Sequence, residues 1–291
     1  MSNSSVLAVA FVAVLAIGGC GGAGASTSDD DDPATSAAPA KALTEAEYQA
    51  LLKESGATVS KALTSVRGAG SRDGLQKRLE QSAADLEKAT VELGARPAPG
   101  GDTEAEEAMQ GLTAAFASAA GKVESGGLCT GPAAVAQLTR SGAASDLRGV
   151  AKGLAPKRQP FPALKLKNGF VLSRKGGTGP GILVIKNGNN REGVVKLVSK
   201  DKRMSIYVAR KGSAQVTQIP DGNFDVYFAS GVSWDGKRNT FTRNCGFTKF
   251  EDKMKFTSGG GQYTQFTITL NPVSGGNAPS RQIDPKDFPR G

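Results

Sequence analysis

The chain has 291 residues, of which 36 are Lys or Arg and 27 are Asp or Glu, so its formal net charge is +9. It contains no histidine, which excludes a Ser-His-Asp triad and a Cys-His pair and removes the commonest ligand of zinc. A chain of this length is long enough for two modest domains and a connecting segment.

The N-terminus has the form of a secretion signal. Residues 6–17 are an unbroken apolar run that is too short to span a membrane as a helix. Residues 15–20, Leu-Ala-Ile-Gly-Gly-Cys, resemble a bacterial lipobox, in which an aliphatic residue and two small residues precede a cysteine. The resemblance implies that residues 1–19 are removed and that lipid on Cys20 holds the protein at the extracytoplasmic face of the cell membrane. Residues 1–5 lack the usual Lys or Arg, so an uncleaved hydrophobic anchor or a disordered tail is the alternative.

Residues 20–42 are predicted to be a disordered tether. They are mainly Gly, Ala, Ser, Thr and Pro, with an acidic run at 29–32, so almost nothing in them can contribute to a core. As a flexible coil, this segment is expected to hold the folded part of the chain away from the lipid bilayer.

Residues 43–155 carry apolar side chains at helical spacing in four successive segments, which predicts an antiparallel helical bundle. Residues 44–47 fit a capping box at the start of the first helix, and residues 103–106 fit another at the start of the third. Asp73 is the expected cap of the second helix. The fourth helix is weaker and is expected to break near Gly142.

The pattern changes after a proline-rich linker at 156–163. Residues 164–275 contain short β-rich runs separated by Gly, Asn and Asp clusters, which predicts an antiparallel β-sandwich, and residues 276–291 form a C-terminal tail. The predicted strands are 169–173, 182–186, 194–198, 204–209, 214–218, 224–229, 241–247, 254–257 and 263–270. The predicted fold class is therefore α+β as two domains, an N-terminal helical bundle followed by a C-terminal sandwich.

The turn after the fifth predicted strand carries a family resemblance. Residues 216–228 place Pro220 and Gly222 in a turn that is followed by Phe224 and an alternating strand. This pattern resembles carboxypeptidase-regulatory-like and other prealbumin-like sandwiches, and the longer stretch through Cys245 resembles domains of uncharacterised actinobacterial lipoproteins. The resemblance implies a β-sandwich and carries no established activity.

Two cysteines, Cys129 and Cys245, remain once Cys20 is assigned to lipid. An extracytoplasmic compartment permits a disulfide between them, and such a bridge would connect the helical region to the β-rich region. Sequence gives no distance between the two thiols, so two separate buried cysteines are the alternative.

Basic charge is concentrated in the second half of the chain. Residues 1–155 carry 13 basic and 18 acidic side chains, a net charge of −5, whereas residues 156–291 carry 23 and 9, a net charge of +14. The basic region is expected to attract anionic polymers or lipid headgroups, while a merely solvated surface and docking onto the acidic bundle are alternatives. Nucleic acid is not an expected partner, because no aromatic residues interleave with the basic ones. The candidate anion-binding residues are Lys196, Lys200, Lys202, Arg203, Arg210, Lys211, Lys249, Lys253 and Lys255.

The sequence predicts no catalytic residue, no metal ligand and no cofactor site. Residues 199–202 match Ser-x-x-Lys, but the companion motifs of penicillin-interacting serine enzymes are missing, so a turn is expected. Residues 176–181 are Gly-rich but lack the ending of a phosphate-binding loop. Asp221 and Asp225 flank a predicted turn and are too few for a calcium loop. Trp234 is expected to pack in the core, with a ligand contact as the alternative.

Together these features favour a non-catalytic binding or interaction protein of the cell envelope. Its expected ligand is an anionic wall polymer, an anionic lipid or a protein partner. Two other functions stay open. A carboxylate-dependent cell-wall hydrolase or transferase needs a cleft with two converging acids of raised pKa. A structural subunit of an envelope complex would use the bundle to contact its partner.

Mass spectrometry of the N-terminal peptide tests the predicted lipid anchor. We expect the mature protein to begin at Cys20 and to carry acyl chains there, because two or more chains are needed for a stable anchor. Globomycin should block removal of the signal. An unmodified Cys20 thiol with residues 1–19 still attached would refute the prediction.

Overall fold

The structure is a computed structural model that describes residues 42–151, 154–270 and 279–290. Cys20, the predicted signal and the predicted tether as far as residue 41 lie outside these residues. The described chain begins with α-helices and continues with β-strands, which confirms the predicted α+β order. No helix in the described part combines the length and apolar character needed to cross a membrane.

Five α-helices form the first part, with a short 3-10 helix between the second and third. They are α1 (Glu45–Arg67), α2 (Arg72–Gly94), α3 (Glu104–Glu124), α4 (Gly131–Leu138) and α5 (Gly142–Val150). The predicted break near Gly142 is therefore confirmed. One core joins the helices, and burial of each large apolar side chain contributes about 1.5–3 kcal/mol to stability. Its completely buried members include Val59, Leu79, Leu86, Leu112 and Phe116.

The first two helices begin with different caps. The predicted capping box of α1 is confirmed, because the Thr44 hydroxyl accepts a hydrogen bond from the Glu47 N–H (3.4 Å) and the Glu47 carboxylate accepts one from the Thr44 N–H (2.9 Å). The expected cap of α2 at Asp73 is wrong. Ser71 Oγ accepts the hydrogen bond from the Gly74 N–H (3.1 Å). Asp73 lies in the first turn of α2, where its negative charge interacts favourably with the positive end of the helix dipole.

The capping box predicted at 103–106 is also wrong. Asp102, one residue earlier, accepts a hydrogen bond from the Glu104 N–H (2.9 Å). The Thr103 hydroxyl donates to the Glu107 carboxylate instead (3.1 Å). Two neighbouring polar residues can satisfy the same free amides at a helix start, so the local sequence leaves the choice between them open.

Twelve strands form the second part of the chain as far as the structure describes it. They are β1 (Val171–Lys175), β2 (Gly181–Asn187), β3 (Glu192–Val198), β4 (Arg203–Val208), β5 (Ser213–Ile219), β6 (Gly222–Asp235), β7 (Thr240–Phe250), β8 (Met254–Phe256), β9 (Ser258–Gly259), β10 (Gln262–Tyr263), β11 (Gln265–Leu270) and β12 (Ser280–Gln282). A seven-stranded sheet has the order β1-β4-β3-β6-β7-β12, with β8 added to β6. A three-stranded sheet has the order β11-β2-β5, and β9 pairs with β10.

One strand pair runs parallel within this otherwise antiparallel arrangement. Gln265 of β11 lies opposite Ile182 of β2, and the register continues in the same direction along both strands. A parallel pair needs a long crossover, which the chain between β2 and β11 provides. Because side chains alternate identically in both orientations, the sequence pattern did not reveal this pair.

The seven-stranded sheet is covered on both faces. One face packs against the three-stranded sheet through apolar residues of both sheets, including Leu183, Ile185, Leu197, Ile206 and Phe224. The other face carries a second cluster that includes Val194, Tyr207, Trp234 and Phe247. Ile283 and Phe288 from the C-terminal segment pack into this second cluster. A strand in the middle of this sheet is therefore buried on both sides.

The hairpin of β6 and β7 is longer than predicted and meets the helical part. Residues 126–129, which follow α3, pair with the outer half of β7. The Cys129 N–H donates to the Thr242 carbonyl (3.0 Å), and the Cys245 N–H donates to the Gly126 carbonyl (2.9 Å). Cys129 and Cys245 also form a disulfide. Backbone pairing and a covalent bond therefore join the helices to the sheet at the same place.

Two glycines permit close approaches beside this joint. Gly126 has a φ of 76°, and a Cβ there would lie 2.7 Å from the Cys245 carbonyl oxygen. Gly131, at the start of α4, lies so near the end of α1 that a Cβ would be 2.2 Å from the Val66 carbonyl oxygen. A larger residue at either position would push the backbone segments apart.

Removal of the disulfide should lower the free energy of unfolding. The two cysteines are 116 residues apart, and for a loop of that length the chain-entropy model gives about 4–5 kcal/mol. We expect a loss of that order in the double variant Cys129→Ser/Cys245→Ser, measured by denaturant unfolding. Wild-type protein in reducing agent is the control and should match the variant. Equal stability of the oxidised wild type and the double variant would contradict the prediction.

Candidate functional site at the helix and sheet junction

A cleft of about 810 Å³ lies where the helical part meets the seven-stranded sheet. Its walls are the turn between α1 and α2, the β6–β7 turn and the C-terminal segment from Asp284 to Arg290. We call it the junction cleft. The ionisable side chains that line it are Arg72, Asp73, Lys196, Lys237, Arg238, Asp284, Lys286 and Arg290. Six of these are basic and two are acidic, so the cleft carries excess positive charge.

The helical wall is positioned by Arg72 at the start of α2. Its Nε donates to the Val123 carbonyl (2.9 Å), and its terminal nitrogen donates to the Glu124 carbonyl. These carbonyls belong to the last turn of α3, and the Val123 carbonyl also accepts a hydrogen bond from the Gly126 N–H (3.0 Å). Arg72 therefore joins the start of α2 to the end of α3 and keeps its positive charge at the cleft.

The β6–β7 turn forms the second wall. Arg238 donates to Asp235 through its guanidinium (2.9 Å) and through its backbone N–H (3.2 Å), which closes the turn. Asn239 follows with a φ of 55°, a left-handed conformation that asparagine tolerates better than most residues. This turn presents Lys237, which is exposed, on the rim of the cleft.

The C-terminal segment forms the third wall. Asp284 accepts a hydrogen bond from the Lys286 N–H (2.9 Å), which together with the nearby positive charges of Lys286 and Arg72 lowers the pKa of Asp284. Phe288 is buried, with its ring centroid 5.2 Å from that of Phe247. This packing holds the segment on the sheet and leaves Arg290 exposed at the rim.

Lys196 lies at the floor of the cleft and is only 2% exposed. Its ammonium donates to the Asn239 side-chain oxygen and to the Pro289 carbonyl (2.7 Å). The Nζ atom also lies 4.9 Å from the ring centroid of Phe288 and 6.0 Å from that of Trp234. Among the described ion pairs none includes Lys196, so its charge is balanced only by neutral acceptors and aromatic faces.

Burial, and to a lesser degree the positive charge of Arg203, lowers the pKa of Lys196 to about 8. Desolvation disfavours the charged form of an amine, which explains the direction of the change. Lys196 was predicted to bind anions in one patch with Lys200, Lys202 and Arg203, and the structure places it in a strand that is buried on both faces.

Four of the other predicted anion-binding lysines have protein partners. Lys249 and Lys253 lie 3.1 Å and 3.6 Å from the carboxylate of Asp225. Lys202 donates to the Asp221 carbonyl (2.6 Å), and Lys211 donates to the Gly188 carbonyl (2.6 Å). The strand register puts one group at the end of the large sheet where β4 begins, namely Lys200, Lys202, Arg203, Lys249, Lys253 and Lys255. Arg210 and Lys211 follow the opposite end of β4, so the structure does not bring all nine residues together.

Sequence reasoning missed the basic residues of the junction cleft other than Lys196. Lys237 and Arg238 stand beside Gly236 between two predicted strands, and Lys286 and Arg290 stand in the predicted tail. Clusters of basic residues in a turn and in a tail were the available signal. What the sequence lacked was the pairing that brings the turn, the tail and Arg72 to one place.

The structure also places three other residues that the sequence analysis considered, Trp234, Ser199 and Asp221. Trp234 is buried, with its ring centroid 5.1 Å from that of Phe241, so it packs in the second sheet cluster. The Ser199 N–H donates to the Lys202 carbonyl (2.8 Å), which makes the Ser-x-x-Lys stretch a turn. Asp221 accepts hydrogen bonds from the N–H and hydroxyl of Ser258 (3.0 and 2.8 Å).

The two acids that line the cleft are Asp73 and Asp284, and the pKa of Asp284 is lowered, whereas a general acid needs a raised pKa. Burial raises the pKa of Glu192, which accepts a hydrogen bond from the Ser233 N–H (3.0 Å) and lies near Tyr207 and Arg210. Within the described ranges, no group of three or more Cys, Asp or Glu side chains is placed to hold a metal ion.

No protein-family model, curated protein or solved structure was found to match the chain. The lipoprotein and prealbumin-like resemblances therefore stay predictions from the sequence.

The depressed pKa of Lys196 predicts how stability changes with pH. The folded state releases its proton near pH 8, whereas the unfolded state holds it up to the ordinary value of 10.5. Over this window the unfolded state binds more protons, so the contribution of Lys196 to stability rises with pH. Relative to Lys196→Met, the wild type should gain about 2 kcal/mol of unfolding free energy between about pH 7.5 and about pH 10.

Denaturant unfolding at both pH values measures this difference, and the difference between the two proteins cancels the other titrating groups. Lys186→Met, which removes an exposed lysine of β2, is the matched control and should show no such change. If the difference in unfolding free energy between the wild type and Lys196→Met stays the same at both pH values, the pKa of Lys196 is not lowered in the folded state.

Proposed function

We propose that the protein is a secreted, lipid-anchored component of the bacterial cell envelope that binds an anionic wall polymer through the junction cleft, without catalysis. The observation that carries the proposal is the charge of this cleft, whose lining has six basic and two acidic side chains. The lipobox-like stretch ending at Cys20 supports the location, and the net charge of +14 on residues 156–291 supports an anionic ligand.

Not all six basic groups are equally available to a ligand. Arg72 is held by the carbonyls of α3, Arg238 pairs with Asp235, and Lys286 lies 3.6 Å from the carboxylate of Asp284. Lys237 and Arg290 are exposed at the rim, and no described ion pair includes them. We therefore assign the first contact with a polymer to Lys237 and Arg290.

A polymer is preferred to a lipid surface because of the distribution of apolar side chains. The large exposed apolar residues of the described chain are Val91, Leu164, Phe170 and Tyr263. They belong to α2, to the segment before β1 and to β10. A protein that inserts into a bilayer surface usually presents a contiguous apolar face, and these separate positions give little support to that role.

A binding role is also preferred to the hydrolase or transferase alternative. A carboxylate-dependent mechanism uses two acids in different protonation states on either side of the reacting bond. Glu192 is the one described carboxyl whose pKa is raised, and the cause of the rise is burial. The structural-subunit alternative has no comparable observation in its favour.

Binding of soluble poly(glycerol phosphate), with neutral dextran as the control polymer, tests the proposal. The double variant Lys237→Gln/Arg290→Gln should reduce affinity for the anionic polymer about fivefold to tenfold at low salt, since each exposed charge pair contributes up to about 1 kcal/mol. Retention should fall as salt is raised, because these contacts are exposed to solvent.

The matched control is Lys200→Gln/Lys255→Gln, which removes the same charge from exposed positions at the end of the large sheet. This control should change the affinity for the polymer less than about twofold, because substitutions of surface residues outside a site usually have small effects. Equal losses in the two double variants would indicate binding by net charge alone. A loss confined to the control pair would move the site to the sheet end and contradict the proposal.

A further inference from the structure

The floor of the junction cleft contains a row of polar side chains on neighbouring strands. Ser173 of β1 lies opposite Ser205 of β4, and Ser205 lies opposite Lys196 of β3. All three line the cleft. Side chains at directly opposite positions of antiparallel strands are about 4.5–5.5 Å apart at their Cβ atoms. The Cβ atoms of these three residues therefore form a row across β1, β4 and β3 along the wall of the cleft.

Lys196 has hydrogen-bonding capacity and charge that its described neighbours do not use. An ammonium has three N–H donors, and two are taken by the Asn239 side-chain oxygen and the Pro289 carbonyl. Both acceptors are neutral, and no carboxylate of the described chain lies within ion-pair distance of the Nζ atom. A buried charge is costly unless it is paired, and an anion in the cleft would supply the missing partner.

The contacts of Lys196 also explain why a small anion suits this floor better than a polymer chain. Asn239 comes from the β6–β7 turn and Pro289 from the C-terminal segment, so both walls are held against the same ammonium. Because these two segments already contact the ammonium, we expect the remaining donor to be easier to reach for a compact group than for an extended chain. Hydroxyl and ammonium donors suit a tetrahedral oxyanion, and lysine is a common phosphate ligand that acts as a point charge.

We propose that Lys196, Ser205 and Ser173 form a subsite for a single phosphate group at the floor of the junction cleft. Two sources have this chemistry: free inorganic phosphate and the phosphomonoester end of an organic molecule. The subsite deepens the proposed function, because the terminal phosphate of a wall polymer held at the rim by Lys237 and Arg290 could occupy it. The subsite can also exist if no polymer binds.

Trp234 provides a local optical probe of this subsite. It is the only tryptophan of the chain, and its ring centroid lies 6.0 Å from the Nζ atom of Lys196. Fluorescence of the full chain in mild detergent would be recorded during titration with inorganic phosphate and with glycerol 3-phosphate, at constant ionic strength and neutral pH. Acetate at the same ionic strength is the control anion.

We expect a saturable change in Trp234 fluorescence with phosphate at millimolar concentrations and a much weaker change with acetate. Comparison of the two phosphate compounds distinguishes their sources: tighter binding of glycerol 3-phosphate points to a phosphomonoester end, and tighter binding of inorganic phosphate points to the free ion. Lys196→Met should weaken phosphate binding about tenfold or more, since it removes the only charged donor of the floor. Lys186→Met, on the other sheet, should leave it unchanged.

Because Lys196 is buried, its replacement can prevent folding, so a second variant keeps the test interpretable. Ser205→Ala keeps the lysine and removes one hydroxyl, and it should weaken phosphate binding about threefold to tenfold without changing the unfolding midpoint. An unchanged affinity in Ser205→Ala, or the absence of a saturable signal in the wild type, would overturn the subsite. Loss of stability in Lys196→Met with unchanged phosphate affinity would also overturn it, because Lys196 would then serve only to hold the two walls.

The polymer experiment and the phosphate experiment fail independently. Binding of poly(glycerol phosphate) without a phosphate-dependent change in Trp234 fluorescence would support polymer binding at the rim and would contradict the phosphate subsite. A phosphate-dependent change in Trp234 fluorescence without binding of the polymer would support the phosphate subsite and would contradict the polymer as the ligand.

Discussion

Residues 126–129 lie along β7 and join the helical part of the chain to that strand. Three backbone hydrogen bonds and the Cys129–Cys245 disulfide hold this short stretch against the strand. The end of α3 lies just before it, and α4 begins just after it. The position of the helices on the sheet is therefore set at one edge of one strand, and the junction cleft opens beside that edge.

Lys196 connects two walls of the cleft in a different way. A charged side chain in the middle of a sheet buried on both faces is unfavourable unless its donors are satisfied. The Asn239 side chain and the Pro289 carbonyl satisfy two of them, and Phe288 and Trp234 provide aromatic faces. The same ammonium thus organises the β6–β7 turn and the C-terminal segment while it keeps its pKa unusually low. The phosphate subsite that we propose uses this same side chain.

The sequence predicted what depends on local pattern and missed what depends on distant pairing. The capping box at Thr44 and the break before Gly142 each depend on a few consecutive residues, and both predictions are confirmed. The caps of α2 and α3 were misplaced by one or two residues because adjacent polar side chains compete for the same amides. The parallel pair of β11 and β2 leaves no trace in an alternating pattern.

The candidate site was predicted less well than the fold, for the same reason. Its basic residues come from a helix start, a hairpin turn and a tail that only tertiary pairing brings together. One clue to Lys196 was present in the sequence. Val194, Val195 and Leu197 form an almost continuous apolar run, which is typical of a strand covered on both faces, and a lysine inside such a run is expected to be buried.

The short stretch after α3 also affects how this sheet is protected from other chains. Residues 126–129 and β12 both lie along β7, so the strand's outer hydrogen-bonding groups are occupied from within the molecule. At the opposite edge, β1 is only five residues long and ends in Arg174 and Lys175, features that discourage pairing with a foreign strand. The two edges of this sheet are therefore protected by different means, β7 by cover from its own chain and β1 by its short length and its charge.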